Sequence, residues 1–280
     1  MSGGTRAGAV VTGAGRGLGK EIARLLVRRG YDVLVTDVDG ATAEASADEI
    51  GAGGWRVVDV RDDAQVRSAR DTALSGSGRI DVWINNAGVL LTGPAWEQTE
   101  EQRRLMIEVN AIGTMNGTLA AIEAMRGAGG GSGHIVNVVS LAGLTAVPGE
   151  AVYAASKHAA IGFSLSTLTD LRLAGIPGID ISCVCPDGIW TPMLHDKLDD
   201  PQSALSFSGK LLQPSEVVAA VGQVLDRPRP VTTVPKWRGG LVRFGDTFPR
   251  LALKLSPSIV EQGRKAQRTF LTKGVPGDKR

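Results

Sequence analysis

Residues 9–37 read AVVTGAGRGLGKEIARLLVRRGYDVLVTD, and the order of residue types along this stretch decides the fold. The apolar run AVVTG predicts a short buried strand. A turn with glycines at Gly13, Gly15, Gly17 and Gly19 follows. GKEIARLLVRRG then repeats its apolar residues at helical spacing, with Gly30 as the stop, and DVLVTD predicts a second strand. Two strands joined through one helix are the unit of a parallel sheet, because a parallel pair needs a long crossover between its strands.

The alternation continues outward from this unit. A helix over ATAEASADEI leads to the strand WRVVDV, and a helix from about Asp62 to Leu74 leads to the strand IDVWINNAG. A long helix from about Glu100 to Met125 precedes HIVNVVS, and another from about Val152 to Leu173 precedes IDISCVC. After an irregular stretch, PSEVVAAVGQVL predicts a helix and VTTV a last short strand. Seven near-continuous apolar strands with helices between them imply a parallel sheet covered on both faces. The expected fold is a doubly wound α/β arrangement in a single domain.

Composition excludes several classes. The chain has 280 residues, 42% hydrophobic and 21% charged, as expected of a soluble globular protein with a substantial core. No apolar run approaches the roughly 20 residues of a membrane-spanning helix. The start MSGGTRAGAVV lacks the apolar segment of a signal peptide, so a cytoplasmic location is expected. His134, His158 and His195 are scattered without metal-ligand spacing, and no catalytic metal is expected. Cys183 and Cys185 are expected on opposite faces of a strand, as buried unbridged thiols. GAGGGSG, residues 127–133, reads as a loose surface loop. Charge is uneven: from Arg227 onward there are 13 Lys/Arg against 3 Asp/Glu, a local net of +10, which leaves −8 for residues 1–226.

A glycine-rich turn after a strand and before a helix lets the backbone approach a pyrophosphate and aims the helix N-terminus at the anion. Asp37, at the end of the second strand, can accept hydrogen bonds from ribose hydroxyls and repels a 2′-phosphate, which favours NAD over NADP. Arg16, inside the turn, has the opposite tendency. Asp37 is given the greater weight, and NAD is the expected cofactor. Further along, YAASK sets Tyr153 and Lys157 four residues apart, on one face of a helix.

Taken together, these residues resemble the short-chain dehydrogenase/reductase family over roughly residues 8–193. TGxxxGxG is met by Thr12, Gly13, Gly17 and Gly19, NNAG by Asn85 to Gly88, and YxxxK by Tyr153 and Lys157. Ser140 stands thirteen residues before the tyrosine, and Asn110 lies in EVNAIG. The resemblance implies a Rossmann-type fold and an NAD(P)-dependent oxidoreductase acting on CH–OH groups. Tyr153 would be the general acid/base, its phenol lowered from its usual value near ~10 by the Lys157 ammonium and the oxidised nicotinamide. Lys157 would also bond the nicotinamide ribose, Ser140 the substrate oxygen, and Asn110 a water linking Lys157 to solvent. Gly13, Arg16, Gly17, Leu18 and Gly19 would hold the pyrophosphate side. Asp59 and Val60 would flank the adenine, and Asn86, Ala87 and Gly88 would line the adenosine side. From CPDGIWTPM, Pro186, Ile189 and Thr191 would reach the nicotinamide. Here Asp187 stands where the family commonly has glycine. Either the tight backbone position shifts to Gly188, or Asp187 adopts the turn conformation itself.

The segment from about 188 to 212 falls where the family places its substrate lid. With Ile189, Trp190, Met193, Leu194, Leu198, Leu205 and Phe207, and with VLLTGPAW after the NNAG turn, it suggests an apolar pocket for hydrophobic alcohols or ketones. Residues 1–235 are therefore read as the dinucleotide-binding and catalytic domain, and 236–280 as a basic C-terminal extension. This extension combines cations with Trp237, Phe244 and Phe248. It is expected to pack on the body or on a neighbouring subunit rather than on a membrane surface, because Pro249 and Pro257 should interrupt a long amphipathic helix. A homotetramer or homodimer is the assembly implied by the resemblance, and nucleic acid is not an expected partner. The reading of a different class is a dinucleotide-binding regulatory or scaffolding protein without turnover, against which the set of Tyr153, Lys157 and Ser140 argues.

Overall fold

The computed structural model describes residues 6–275. Residues 1–5, at the start of the stretch read for a signal peptide, and 276–280, at the end of the basic extension, lie outside them. Seven parallel strands form one sheet in the order β3-β2-β1-β4-β5-β6-β7. The strands are β1 Gly8–Thr12, β2 Asp32–Asp37, β3 Gly54–Val57, β4 Val82–Asn85, β5 Gly133–Val138, β6 Ile179–Pro186 and β7 Val231–Val234. β1 is GAVVT with every residue buried, as a central strand covered on both faces must be.

Helices α1 (Gly17–Arg28), α2 (Gly40–Ile50) and α8 (Pro214–Asp226) cover one face, and Ile22, Leu26, Val217 and Val221 pack there against Val11, Val33 and Ile84. Helices α3 (Asp63–Ser77), α5 (Gly113–Arg126) and α6 (Ala151–Leu173) cover the other, around Trp83, Met125, Ile135 and Ile181. The long helix expected from about Glu100 is α4 (Glu100–Ile107) and α5 joined through a π turn, Glu108–Ile112. Glu100–Arg126 is long and apolar enough to cross a membrane, but 56% of its apolar window is buried in the fold, where it serves as a core helix.

Because β1 lies between β2 and β4, the strand order reverses beside it. A crevice opens there at the C-terminal ends of the strands, where ligands of such sheets bind. A buried polar chain holds the crevice floor. Trp83 Nε1 donates to Asn85 Oδ1 at 2.8 Å, Asn85 Nδ2 to Asn137 Oδ1 at 2.8 Å, and Asn137 Nδ2 to Ser164 Oγ at 2.7 Å. The first asparagine of NNAG is thereby committed to tying β4, β5 and α6 together.

Two expectations are corrected here. Cys183 and Cys185 share one face of β6, in one apolar cluster with Val139 and Ile161, because residues two apart along a pleated strand point the same way. Both are free thiols. Pro257 does not interrupt the last helix: α9 (Lys236–Thr247) is followed by α10, which runs from Pro249 to Lys273 with Pro257 inside it. Pro249 takes the first helical position, where no N–H is needed. The Leu253 carbonyl, which the missing N–H of Pro257 would have served, instead accepts the Ser256 hydroxyl at 3.0 Å.

Between β6 and α8 the chain forms α7 (Pro192–His195) and a 3₁₀ segment, Pro201–Phe207. The C-terminal half of α10 packs on that segment. Gln267 Nε2 donates to the Asp200 carbonyl at 2.8 Å and to Ser203 Oγ at 2.9 Å, while Phe270 stands 6.3 Å from Phe207, ring centre to ring centre. A side chain at Gly263 would overlap the Ala204 carbonyl.

Candidate active site

One cavity of about 670 Å³ occupies the crevice. Its inner edge is the turn between β1 and α1. Gly13 has φ +62°, and a Cβ there would lie 2.6 Å from Ala87 Cα; a Cβ at Gly19 would overlap the Gly13 carbonyl. Only a chain without side chains at these positions lets NNAG close over the turn. Arg16 caps α1 with no side-chain hydrogen bond, so the amides of the first turn have no partner within the helix and face the cavity. This free-amide cradle fits a pyrophosphate.

Thr12 pins the turn, its Oγ1 accepting the N–H groups of Asn86 and Ala87 at 3.1 Å each. Asn86 Nδ2 reaches back to the carbonyls of Thr12 at 3.1 Å and Gly13 at 2.9 Å. Asp37 Oδ2 accepts the Gly15 N–H at 2.9 Å, which fixes its carboxylate at the cavity wall near Arg16. Asp59 is gripped by the Arg61 guanidinium, whose hydrogen bonds hold its carboxyl below the usual range. Val60 is held through its carbonyl by Asn116 Nδ2 at 2.9 Å.

Across the cavity, Ser140 ends the β5 run and caps a 3₁₀ turn, its Oγ accepting the Ala142 N–H at 3.1 Å. Tyr153 and Lys157 lie one turn apart on α6, with Lys157 Nζ 5.6 Å from the Tyr153 ring centre. Lys157 is buried and donates to the Val138 carbonyl at 3.3 Å, which leaves two of its three N–H donors for a ligand. Burial lowers its ammonium to about 8. The protein's own groups do not lower the phenol: burial, with the nearby Glu150 carboxyl, pushes Tyr153 up, and the Ser140 hydroxyl only partly opposes this. Lys157 does not offset this rise, because an ammonium at about 8 has given up its proton before the raised phenol titrates.

Asn110 alone among the expected site residues does not line the cavity. It is fully buried in the π turn. Its Oδ1 accepts the Val89 N–H at 2.8 Å, and its Nδ2 donates to the Val89 carbonyl at 2.9 Å and to Ser156 Oγ at 3.0 Å. Through its amide Asn110 positions the segment after NNAG against α6.

The loop after β6 settles the fate of the displaced glycine. No residue other than glycine has positive φ among the described residues, so Asp187 does not adopt the turn conformation. The close backbone approach sits at Gly188, where a Cβ would overlap the Ser206 carbonyl. Asp187 instead pairs with Arg238 of α9 at 3.0 Å, both side chains being largely buried, and its Oδ1 accepts the Gly188 N–H at 3.0 Å. Arg238 continues to Ser208 Oγ at 2.8 Å. Pro186, Ile189 and Thr191 line the cavity, as do Met193, Leu194 and Leu205. Trp190 and Phe207, expected in the apolar pocket, turn away from it and pack with Phe270 and Val275; Leu198 joins them.

Two cavity groups escaped the sequence reading. Arg238 carried no local signal, since its partner is 51 positions earlier in the chain. Glu150 did carry one: it stands three residues before Tyr153, a spacing that shares a helix face. It is 2% exposed, accepts the Ser206 hydroxyl at 2.8 Å, and burial pushes its carboxyl up to about 7. No group of three or more His, Cys, Asp or Glu could hold a metal ion among the described residues.

Comparison with known proteins agrees with this fold. Residues 7–202 match the model of the short chain dehydrogenase family. The oxidoreductase UcpA of Salmonella typhimurium is 36% identical over 214 residues, 73% of this chain and 79% of its own. A cyclopentanol dehydrogenase of Comamonas testosteroni is 36% identical over 221 residues, 76% of this chain and 86% of its own. The crystal structure of a short-chain dehydrogenase/reductase from Burkholderia phymatum in complex with NAD superposes with a TM-score of 0.73 at 26% identity, covering 100% of this chain and 99% of that one.

Proposed function

The chain belongs to the short-chain dehydrogenase/reductase family of NAD(P)-dependent oxidoreductases acting on CH–OH groups, and from that premise we propose that it interconverts a secondary alcohol and a ketone with NAD(H), on an apolar substrate. The observation that carries the proposal is convergence. Ser140, Tyr153 and Lys157 face the same cavity as the glycine turn and Asp37.

The first-turn amides of α1 bind the pyrophosphate, and the Asp37 carboxylate accepts from the adenosine ribose and disfavours a 2′-phosphate. Asp59 and Val60 bound the adenine side. Lys157 directs its two remaining donors to the nicotinamide ribose. A bound dinucleotide would supply the hydride acceptor for the alcohol carbon and the hydride donor for the ketone carbon. In reduction, Tyr153 gives its phenolic proton to the oxygen on which negative charge develops, and Ser140 donates a hydrogen bond to the same oxygen. In oxidation, the Tyr153 phenolate takes the hydroxyl proton as the C–H bond breaks. A phenol raised by burial stays protonated at neutral pH, so the site is a ready proton donor, and oxidation has the steeper pH requirement. Leu90, Leu91, Val147, Ile189, Met193 and Leu205 give the substrate side its apolar walls. The cyclopentanol dehydrogenase relative supports a cyclic or otherwise compact alcohol as a starting substrate.

Tyr153→Phe removes the proton and little else. Ketone-dependent NADH oxidation should fall by about 10²- to 10⁴-fold, while NADH binding followed by fluorescence stays within a few-fold. A variant that keeps near-full turnover refutes the assignment; loss of NADH binding as well would mean that the residue is structural.

A further inference from the structure

The first half of the basic extension carries an apolar stripe that the body leaves uncovered. Trp237, Leu241, Phe244, Phe248, Leu251 and Leu255 recur at spacings of four and three through α9 and into α10, and each is between 46% and 62% exposed. The Phe244 and Phe248 rings stand 4.9 Å apart, so the stripe continues across the junction between the helices. Six large apolar side chains in succession form a patch of the kind that marks an interaction site. The C-terminal half of α10 differs, since Gly263, Gln267 and Phe270 are held against the 3₁₀ segment.

The charges around the stripe identify what covers it. Lys236, Arg243, Arg250 and Lys254 are exposed beside it, with Asp246 the single carboxylate between residues 236 and 259. None of the four cations has an ion-pair partner among the described residues. In a self-complementary pairing of two copies through this stripe, the same patch meets itself, which brings unpaired cations against unpaired cations. A surface of anionic lipid satisfies both features. The aromatic and leucine side chains enter the boundary between headgroups and acyl chains, and the cations meet phosphates. We propose that α9 and the first half of α10 seat the protein on an anionic membrane surface. The expectation of packing rested on helix breaks at Pro249 and Pro257; the chain does divide at Phe248, between α9 and α10, but α10 runs on through Pro257. The other side of α9 contributes Arg238 and Val242 to the cavity wall, so one helix separates the docking surface from the substrate space. The proposal does not depend on the reaction assigned above, because it is read from binding alone.

The test is flotation of the full chain with vesicles of phosphatidylcholine alone and of phosphatidylcholine mixed with phosphatidylglycerol, at low and at high salt. The protein should float with the mixed vesicles at low salt and be released by salt. Arg250→Gln with Lys254→Gln should weaken partition by about 25-fold, five-fold for each charge. Phe244→Ser with Phe248→Ser should weaken it by at least about tenfold. Circular dichroism and the midpoint of urea unfolding, both unchanged, establish that the variants fold. Failure of the wild type to float with mixed vesicles at low salt overturns the proposal. Flotation unaffected by either pair of substitutions overturns it too. If wild type fails to float and the phenylalanine substitutions convert a multimer to a smaller species in sedimentation velocity, the stripe belongs to a second copy.

Discussion

Replacing Glu150 by Gln separates the electrostatic cost of a buried acid from its packing, because the amide keeps the shape and has no proton to lose. In the unfolded chain Glu150 releases its proton at the ordinary 4.5, whereas in the fold it keeps it up to about 7. Between these values the folded protein binds more protons than the unfolded one, so stability is greatest below 4.5 and declines as pH rises through about 7. At about 1.4 kcal/mol per pH unit the loss amounts to about 3 kcal/mol. His134, buried and lowered to about 4, titrates with the opposite sign: its contribution is present above its ordinary 6.5 and is lost as pH falls towards 4. Comparing two proteins that both carry His134 cancels it. The assay is urea unfolding of wild type and Glu150→Gln across the acid and neutral range. The variant should gain on the wild type by about 3 kcal/mol from the acid end to the neutral end. Parallel stability curves would falsify the reasoning. A second readout follows, because an ionised Glu150 raises Tyr153: the variant's alcohol-oxidation profile should move to lower pH.

Asp37→Ser removes the charge proposed to disfavour a 2′-phosphate while Arg16 remains, so the ratio of kcat/KM for NADPH over NADH should rise at least about tenfold, consistent with loss of a carboxylate–phosphate repulsion of about 1.4 kcal/mol; an unchanged ratio places discrimination elsewhere. Asp187→Ala strands the buried Arg238 guanidinium and should cost about 3 kcal/mol in urea unfolding, while Asp187→Ala with Arg238→Met recovers most of it. Equal losses in the single and double variants would mean that the pair is not coupled. Gly263→Val pushes α10 off the Ala204 carbonyl, so KM for the ketone should rise while the dissociation constant for NADH is unchanged. Steady-state kinetics alongside fluorescence titration distinguish the two effects.

The order of strands and helices was legible because periodicity and glycine placement report local structure, and β1, α1 and β2 announce themselves within residues 9–37. The glycine turn was legible for the same reason, since a turn that closes over NNAG needs glycine wherever backbone meets backbone. What escaped was decided by partners distant in sequence. Pro257 reads as a helix break unless the Ser256 hydroxyl is known to take over the Leu253 carbonyl. Trp190 and Phe207 read as pocket lining until α10 is in place to receive them. Asp187 reads as a misplaced glycine until Arg238 is brought beside it. The contacts of the Asn110 amide were hidden likewise, because only the path of Val89 past the π turn reveals them.

The π turn at Glu108–Ile112 has the character of a phase shifter. Each residue of an α-helix advances the azimuth by about 100°, so one extra residue in a turn re-clocks everything downstream. Leu105, upstream, and Val109, early in the turn, line the cavity. On the downstream side Gly113 meets the Val60 side chain and Gly117 meets the Asn85 side chain, each so closely that a Cβ would collide. Excising one residue between Ile107 and Gly113 would yield a more regular helix and a worse protein, since either the apolar wall or the glycine seam would face the wrong way. Chain length here is constrained as strictly as residue identity, and an alignment that closed a one-residue gap in this turn would misassign every position of α5.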